Sequence, residues 1–366
     1  MGMRIDPEQL DEIKSRRRMS DVLRDCGIKV TGRMCLCPFH MERTPSCQVF
    51  DREARIYCHA CHEGWDVIDV IMKLTGRTFP ETIEFLGGAR DLTPKDREKM
   101  RAQREQMESV QKEANTKARK EAHAMFDAGQ EIKGSLVQTY LRGRRISVSK
   151  RMWFDLRFAP SLPYWGFPDA KATETVHLGD FPAMLAAIRI PETKELIGCH
   201  RTFLDPETCK KLIPPGDAKR NKAKKIKGEV TGGMVHLSPP ADDLIIGEGI
   251  ETALSGYDYD VAGPKAAVAA AVSISNLAGS AERTVEHPKY QQRRVPNTIF
   301  DKERQGLLPP SWAKSIFLLG DGDSESIWTT AMIATAARKF RAHGLDAFVL
   351  MAPEGKDFND VLMEAE

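Results

Sequence analysis

Leu244-Ile245-Ile246-Gly247-Glu248-Gly249-Ile250-Glu251-Thr252-Ala253-Leu254-Ser255 is the stretch whose reading decides the fold. An apolar run of strand length gives way to a glycine-flanked turn and then to a helix pattern. A second unit of the same kind runs from Ile316 to Leu319, through Gly320-Asp321-Gly322-Asp323-Ser324, into a helix-like stretch after Ser326. A third strand is predicted at Ala347 to Met351. Strands alternating with helices predict a parallel α/β sheet. The turns place Glu248, Asp321 and Asp323 at the carboxyl ends of adjacent strands, the edge at which such sheets bind ligands. Aspartates alternating with glycines can present two carboxylates to one hard cation while the backbone stays free to bend. The three acids are therefore read as a Mg²⁺ or Mn²⁺ site. Taken singly, an Asp-x-Asp is a turn or helix cap and a Glu after a strand is a surface residue; the joint placement carries the reading. Glu251, one helical turn further on, reads as a surface residue. The proline-bearing segment from Ser280 to Ala313 reads as an insertion or irregular loop.

Upstream of this region the charge changes character. Lys210, Lys211, Lys219, Arg220, Lys222, Lys224, Lys225 and Lys227 are opposed only by Asp217. Such a block fits phosphate contacts, with a solvated flexible loop as the plain alternative. Its position directly before the acidic units favours nucleic acid. Arg142, Arg144, Arg145, Lys150 and Arg151 form a smaller cluster that extends the same track. Between residues 130 and 235, strand patterns at Ala183 to Ile190 and Glu195 to Leu204 predict a mixed α+β subdomain without repeats. Residues 91 to 123 are rich in charges of both signs with few large apolar residues, a solvent-exposed helix or tether.

The N-terminal part has its own chemistry. Cys37-Pro38-Phe39-His40 and Cys58-His59-Ala60-Cys61 form a Cys-x2-His and a Cys-x2-Cys pair with seventeen residues between them. Each pair can turn two ligands toward one ion, and four protein ligands close a tetrahedral shell, so one structural zinc is predicted at Cys37, His40, Cys58 and Cys61. Cys35 and Cys37 alternate along a strand-like stretch and cannot both face one ion; Cys35 and Cys47 are read as small packing residues, and His59 and His62 as exposed or partner-binding. Strands are predicted at Ser46 to Phe50 and Arg55 to Tyr57, and helices at Asp66 to Leu74 and Pro80 to Leu86, after a helical lead-in over 7 to 25. Phe50, Tyr57 and Trp65 are candidates for stacking on single-stranded bases, with core packing the reading preferred for Phe50 and Tyr57.

The bulk numbers agree with several soluble domains. The chain has 366 residues, 41% hydrophobic and 29% charged, with a net charge of only +2, so affinity for a polyanion must come from local patches. Five of eight cysteines crowd between Cys26 and Cys58 beside histidines, which predicts metal ligation in a reducing compartment, the cytoplasm. The apolar run near Ala266 to Val272 falls far short of the roughly 20 residues that span a bilayer. The expected divisions are 1–90, 91–128, 129–240 and 241–366.

Two resemblances join these pieces. Cys37-Pro38-Phe39-His40, Thr44-Pro45-Ser46, Tyr57-Cys58, Cys61 and Asp66-Val67-Ile68-Asp69-Val70 resemble the zinc-binding domain of bacterial-type (DnaG-like) primases, a ribbon that contacts single-stranded template. Gly247 to Leu254 followed by Asp321-Gly322-Asp323 resembles a Toprim domain, the metal-binding fold shared by those primases, topoisomerases and some nucleases. Lys356-Asp357-Phe358-Asn359-Asp360 resembles the closing motif of phage and plasmid primase Toprim domains, which makes Asp357 a fourth candidate acid. The resemblance implies a zinc ribbon, a charged helical linker, a basic α+β subdomain and a catalytic Toprim domain. It also implies template-directed synthesis of RNA primers on single-stranded DNA from ribonucleoside triphosphates, with a replicative helicase acting in trans and no membrane. The short segment after Asp360 points to a phage or mobile-element variety. The alternatives are another Toprim-type DNA enzyme, topoisomerase or nuclease, and an inactive single-stranded-DNA-binding module. No Gly-x4-Gly-Lys-Ser/Thr phosphate loop is present, and a topoisomerase would need a large gate domain with a nucleophilic tyrosine.

Overall fold

The computed structural model describes residues 7–42, 45–59, 63–87, 94–147, 154–287, 294–322 and 326–365. Cys61 and Asp323, two of the expected metal ligands, lie outside the described residues, as do Thr44, His62, Lys150 and Arg151. Contacts divide the chain into two units, 1–114 and 115–366.

In the first unit, α1 (Pro7–Ser15) and α2 (Met19–Asp25) precede a five-stranded antiparallel sheet of β1 (Val30–Thr31), β2 (Met34–Cys35), β3 (Cys47–Phe50), β4 (Arg55–Cys58) and β5 (Glu63–Asp66), in chain order. The strict alternation of β3 and β4 sorts side chains to two faces. Cys47, Val49, Ile56, Cys58 and Trp65 enter the core, while the half-buried Gln48, Phe50 and Tyr57 and the exposed Arg55 stand on the opposite face. The packing reading for Phe50 and Tyr57 is thus corrected, and Trp65 is the buried aromatic, edge-on to Phe39 at 4.5 Å. The helix α3 (Val67–Thr75) starts on a capping box between Asp66 and Asp69 and ends at Gly76 in the left-handed region, φ 68°. Its apolar stripe and α4 (Phe79–Gly87) close the core over the sheet. The charged stretch that follows is one helix, α5 (Pro94–Asp127), and the boundary between the units falls within it.

The second unit begins with α6 (Leu136–Gly143) and an antiparallel sheet ordered β6 (Leu156–Gly166), β7 (Val176–Arg189), β8 (Leu196–Phe203) and β9 (Lys224–Gly228). Part of the basic block is therefore an edge strand rather than a loop, and lysines on an edge deter strand addition as well as attracting anions. One face of the sheet packs Tyr164, Leu185 and Phe203 against Phe126 of α5; the other packs Met184, Ala186 and Ile188 against the domain that follows.

That domain is built on a sheet ordered β10 (Val235–His236), β12 (Ala267–Ala270), β11 (Asp243–Gly247), β15 (Ser315–Gly320) and β16 (Asp346–Met351), in which all pairs but β10–β12 are parallel. Between β11 and β12 (Ala267–Ala270) runs α7 (Ile250–Asp258); α8 (Ile274–Ala278) and the hairpin β13 (Thr284–Glu286) with β14 (Arg294–Pro296) precede β15 (Ser315–Gly320); α9 (Ser326–Ala342), β16 (Asp346–Met351) and α10 (Phe358–Glu364) complete the fold. Leu244, Ile245 and Ile246 are wholly buried, the continuous apolar run that a parallel strand covered on both faces requires. The apolar run at Ala266 to Val272 is largely β12, a central strand the sequence reading passed over. The expected irregular segment 280–313 contains a hairpin and a buried anchor, Leu307. It is pinned by Lys339 of α9, wholly buried, whose ammonium donates to the carbonyls of Leu277 (2.7 Å), Gln305 (2.6 Å) and Leu307 (2.7 Å) while burial pushes the amine down to about 7.

Candidate active site and zinc centre

In the first unit, the sulfurs of Cys37 and Cys58 and a ring nitrogen of His40 lie within 4.8 Å of one another. These donors suit a tetrahedral zinc, with metal–ligand bonds of roughly 2.0–2.3 Å. The amide of Phe39 donates to the Cys37 sulfur at 3.4 Å, and the Ser46 hydroxyl lies 3.1 Å from the Cys58 sulfur. Glu42, which sequence reasoning missed, organises the loop: its carboxylate accepts from the amides of Cys37 (2.7 Å) and Ser46 (2.9 Å) and lies 3.1 Å from Nε2 of His40. A carboxylate on Nε2 leaves Nδ1 for the metal, an outer-shell arrangement typical of histidine ligands. Cys35 and Cys47 are fully buried. The ligand-spaced histidine followed two residues later by an acid was the available signal.

In the second unit, a cavity of about 300 Å³ opens at the carboxyl ends of β11 and β15, lined by Arg144, His200, Lys211, Lys224, Glu248, Glu251, Thr252, Val272, Asp321 and Asp357. Because β11 pairs with β15 in parallel, Gly247 beside Leu319, the turns bearing Glu248 and Asp321 are neighbours. Close packing sets their positions: a Cβ on Gly256 of α7 would lie 2.3 Å from Leu319, and one on Gly322 would lie 2.3 Å from the carbonyl of Pro353. Thr252 donates its hydroxyl to Asp321 at 3.1 Å. Val272, a β-branched residue, sits at φ 71°, a strained conformation that collects at functional sites.

Glu251 is not the surface residue expected. It is 4% exposed and paired with Lys224 at 3.0 Å and Lys211 at 3.3 Å, and it accepts the Tyr140 hydroxyl at 2.7 Å. Burial works to raise this carboxyl, but the charges of Lys224 and Lys211 and the phenol outweigh it and hold the group well below the usual range. The same balance leaves Lys224, at the shorter distance, raised in spite of burial, and Lys211 lowered by it. Glu251 is the one charge in an otherwise uncharged first helical segment, Ile250 to Ser255, which is the signal a sequence reading could have used. Tyr140 and His200 carried none.

The remaining basic residues divide. Arg144 reaches the cavity and Asp357 at 3.7 Å. Asp357 also caps α10, accepting from the Asp360 amide at 2.7 Å. Lys227 pairs with Glu121, Lys225 donates to the Trp165 carbonyl, and Arg145 donates to the carbonyl of Ala365 at 2.7 Å. Arg220 is held by Asp217 at 2.7 Å and stacks 3.8 Å from the Phe167 ring centroid. Arg142, Lys210, Lys219 and Lys222 are exposed.

Comparison with known proteins adds the class. Residues 5–102 match the CHC2 zinc finger, residues 243–366 the Toprim domain, and residues 116–237 a domain of unknown function, DUF7146. The chain thus combines a zinc-binding finger with a Toprim domain that binds a divalent metal. Among curated proteins it is 29% identical over 164 residues to a DNA primase of Myxococcus xanthus, covering 44% of this chain and 26% of that protein. It is 32% identical over 87 residues to a DNA primase of Enterococcus faecalis, covering 23% of this chain and 14% of that one. The chain is therefore a relative of the bacterial-type, DnaG-like primases, and the matched part spans about a quarter or less of the length of these two proteins. Among solved structures, the zinc-binding and RNA polymerase domains of the Aquifex aeolicus primase align over 97% of this chain and 82% of that one, at 15% identity and a TM-score of 0.38. Among the described residues no helix is long and apolar enough to cross a membrane.

Proposed function

We propose that this chain is a primase, a template-directed RNA polymerase that makes short primers on single-stranded DNA. The observation that carries the reading is the cavity in which acids on two neighbouring strand ends, Glu248 and Asp321, meet the ammonium groups of Lys211 and Lys224. Carboxylates and amines together suit a metal–triphosphate, whereas a bare phosphate-binding surface has no use for the acids. Glu248, Asp321 and Asp323 would hold Mg²⁺ or Mn²⁺ in this proposal, with Asp357 as a further acid, and the metal would supply charge neutralisation as a 3′-hydroxyl displaces pyrophosphate from an α-phosphate. Lys211, Lys224 and Arg144 bind and orient the triphosphate, and Thr252 fixes the rotamer of Asp321. The exposed Lys210, Lys219, Lys222 and Arg142 supply contacts to template phosphates, which position without reading sequence.

On the zinc ribbon, Gln48, Phe50, Arg55 and Tyr57 form the template-facing surface: Gln48 stands opposite Tyr57, and Arg55 lies over the Phe50 ring at 5.1 Å. Ribonucleoside triphosphates and a replicative helicase acting in trans complete the proposed partners. The test is synthesis by the purified chain on single-stranded DNA with labelled ribonucleotides and Mg²⁺. Template-dependent oligoribonucleotides that vanish in Asp321→Ala are expected; nicking or relaxation of DNA, or no product across varied templates, would refute the proposal.

A further inference from the structure

We propose that His200 is a further substrate-contacting residue, its imidazole hydrogen-bonding an oxyanion of the triphosphate held between Lys211 and Lys224. The inference rests on reading the cavity as a nucleotide site. His200 lies on β8, opposite Ile226 of β9 and so beside Lys224 two residues away, and it lines the cavity together with Lys211, Lys224 and Glu251. Only 7% of it is exposed, and its Nδ1 is buried with no hydrogen-bond partner among the described residues. A buried polar atom left unsatisfied costs about 1–3 kcal/mol, and nearly all such atoms in folded proteins are bonded. The ring lines the cavity, and a turn about its χ2 presents the orphan nitrogen to a molecule bound there, which completes the set.

The surroundings specify the chemistry of that molecule. Burial, and then the charge of Lys224, push the imidazole down to about 4, so at neutral pH it is uncharged with one donor and one acceptor nitrogen. Two ammonium groups flank it, and Glu251 offsets one of their charges while fixing both amines in place. The two ammonium groups offer their charge to an anion, while Glu248, Asp321 and Asp357 of the same cavity are left for the cation that accompanies a polyphosphate. A neutral imidazole adds a directed donor without adding to the repulsion between the lysines. Sugar or base recognition would not call for two ammonium groups at the same place, whereas a polyphosphate uses every element present.

The probe is inorganic triphosphate, which has neither sugar nor base, added with and without Mg²⁺ to the full chain labelled with ¹⁵N in its imidazole rings. The His200 resonance, assigned by its loss in H200Q or H200N, is expected to shift on addition. His200→Ala is expected to weaken triphosphate binding about tenfold, the loss of one hydrogen bond to a charged group, and to raise the KM for ribonucleotides more than it lowers kcat. H200Q, which keeps a donor, should lose less. An unmoved resonance with unchanged affinity overturns the proposal. So does a resonance that responds to a ribonucleotide but not to inorganic triphosphate. A chain that binds triphosphate at His200 yet makes no oligoribonucleotide refutes the polymerase reading and upholds this one; an active chain whose His200 ignores triphosphate does the reverse.

Discussion

Replacing Glu251 by Gln removes one charge from the centre of the second unit while keeping the shape and the acceptor for Tyr140. At 3.0 Å and an effective dielectric of about 20, a single ion pair is worth roughly 5 kcal/mol before desolvation is counted. The side chains of Lys224 and Lys211 are 38% and 35% exposed, so water screens much of this and relieves them when their partner is lost. The expected net loss for E251Q is therefore about 2–3 kcal/mol, below the full cost of stranding a buried charge. The dependence on pH gives the stricter test. The folded carboxyl lies below its unfolded value, so its contribution is complete above the unfolded pKa of about 4.3 and is lost as pH falls from there through the folded value. The stability difference between wild type and E251Q should be flat from pH 6 to 8 and should close on acidification. Urea unfolding of the full chain, with hydrogen exchange followed in α7 and β9, reads both quantities. A difference below about 0.5 kcal/mol that does not change between pH 7 and 4 would refute the ion-pair reasoning.

Three other outcomes are expected, besides the loss of synthesis in Asp321→Ala. Cys58→Ser should release zinc to a chromogenic chelator and expose the amides of β3 and β4 to exchange, with protection in β11 and β15 unchanged; retention of one equivalent of zinc would contradict the ligand assignment. Lys339→Met should destabilise the second unit by about 2–4 kcal/mol, because three backbone carbonyls lose their donor; an unchanged melting temperature would show that the clamp contributes little. Tyr57→Ala should weaken single-stranded DNA binding by the full chain about fivefold, near 1 kcal/mol for a lost stacking platform, and equal affinity would remove the open ribbon face from the template path.

The sequence made the acid-bearing turns legible because their logic is local: apolar run, glycine, acid, helix. Adjacency of β11 and β15 followed from the parallel-sheet rule rather than from any residue. β12 was passed over because Ala267 to Ala270, with small side chains, lacks the bulk that marks a strand. Glu251 was misread because helical spacing alone does not say which face is covered. Its burial depends on Tyr140, more than a hundred positions earlier, and on Lys211 and Lys224 from a different sheet and its neighbouring loop. His200 had no local signature, since its meaning lies in the partner it lacks. Among the basic residues no local pattern separates Lys224, which faces the cavity, from Lys225, which donates to the Trp165 carbonyl instead.

The strand pairing of the ribbon has a consequence for folding. Cys35, Cys47 and Cys58 stand directly across from one another on β2, β3 and β4. A slip of one residue in either pairing would turn alternate side chains to the wrong face, carrying Cys58 away from Cys37 and His40. Only the correct alignment can complete the metal shell. Zinc uptake would thus act as a proofreading step on a sheet whose first two strands, β1 and β2, are two residues each and too short to enforce their own alignment.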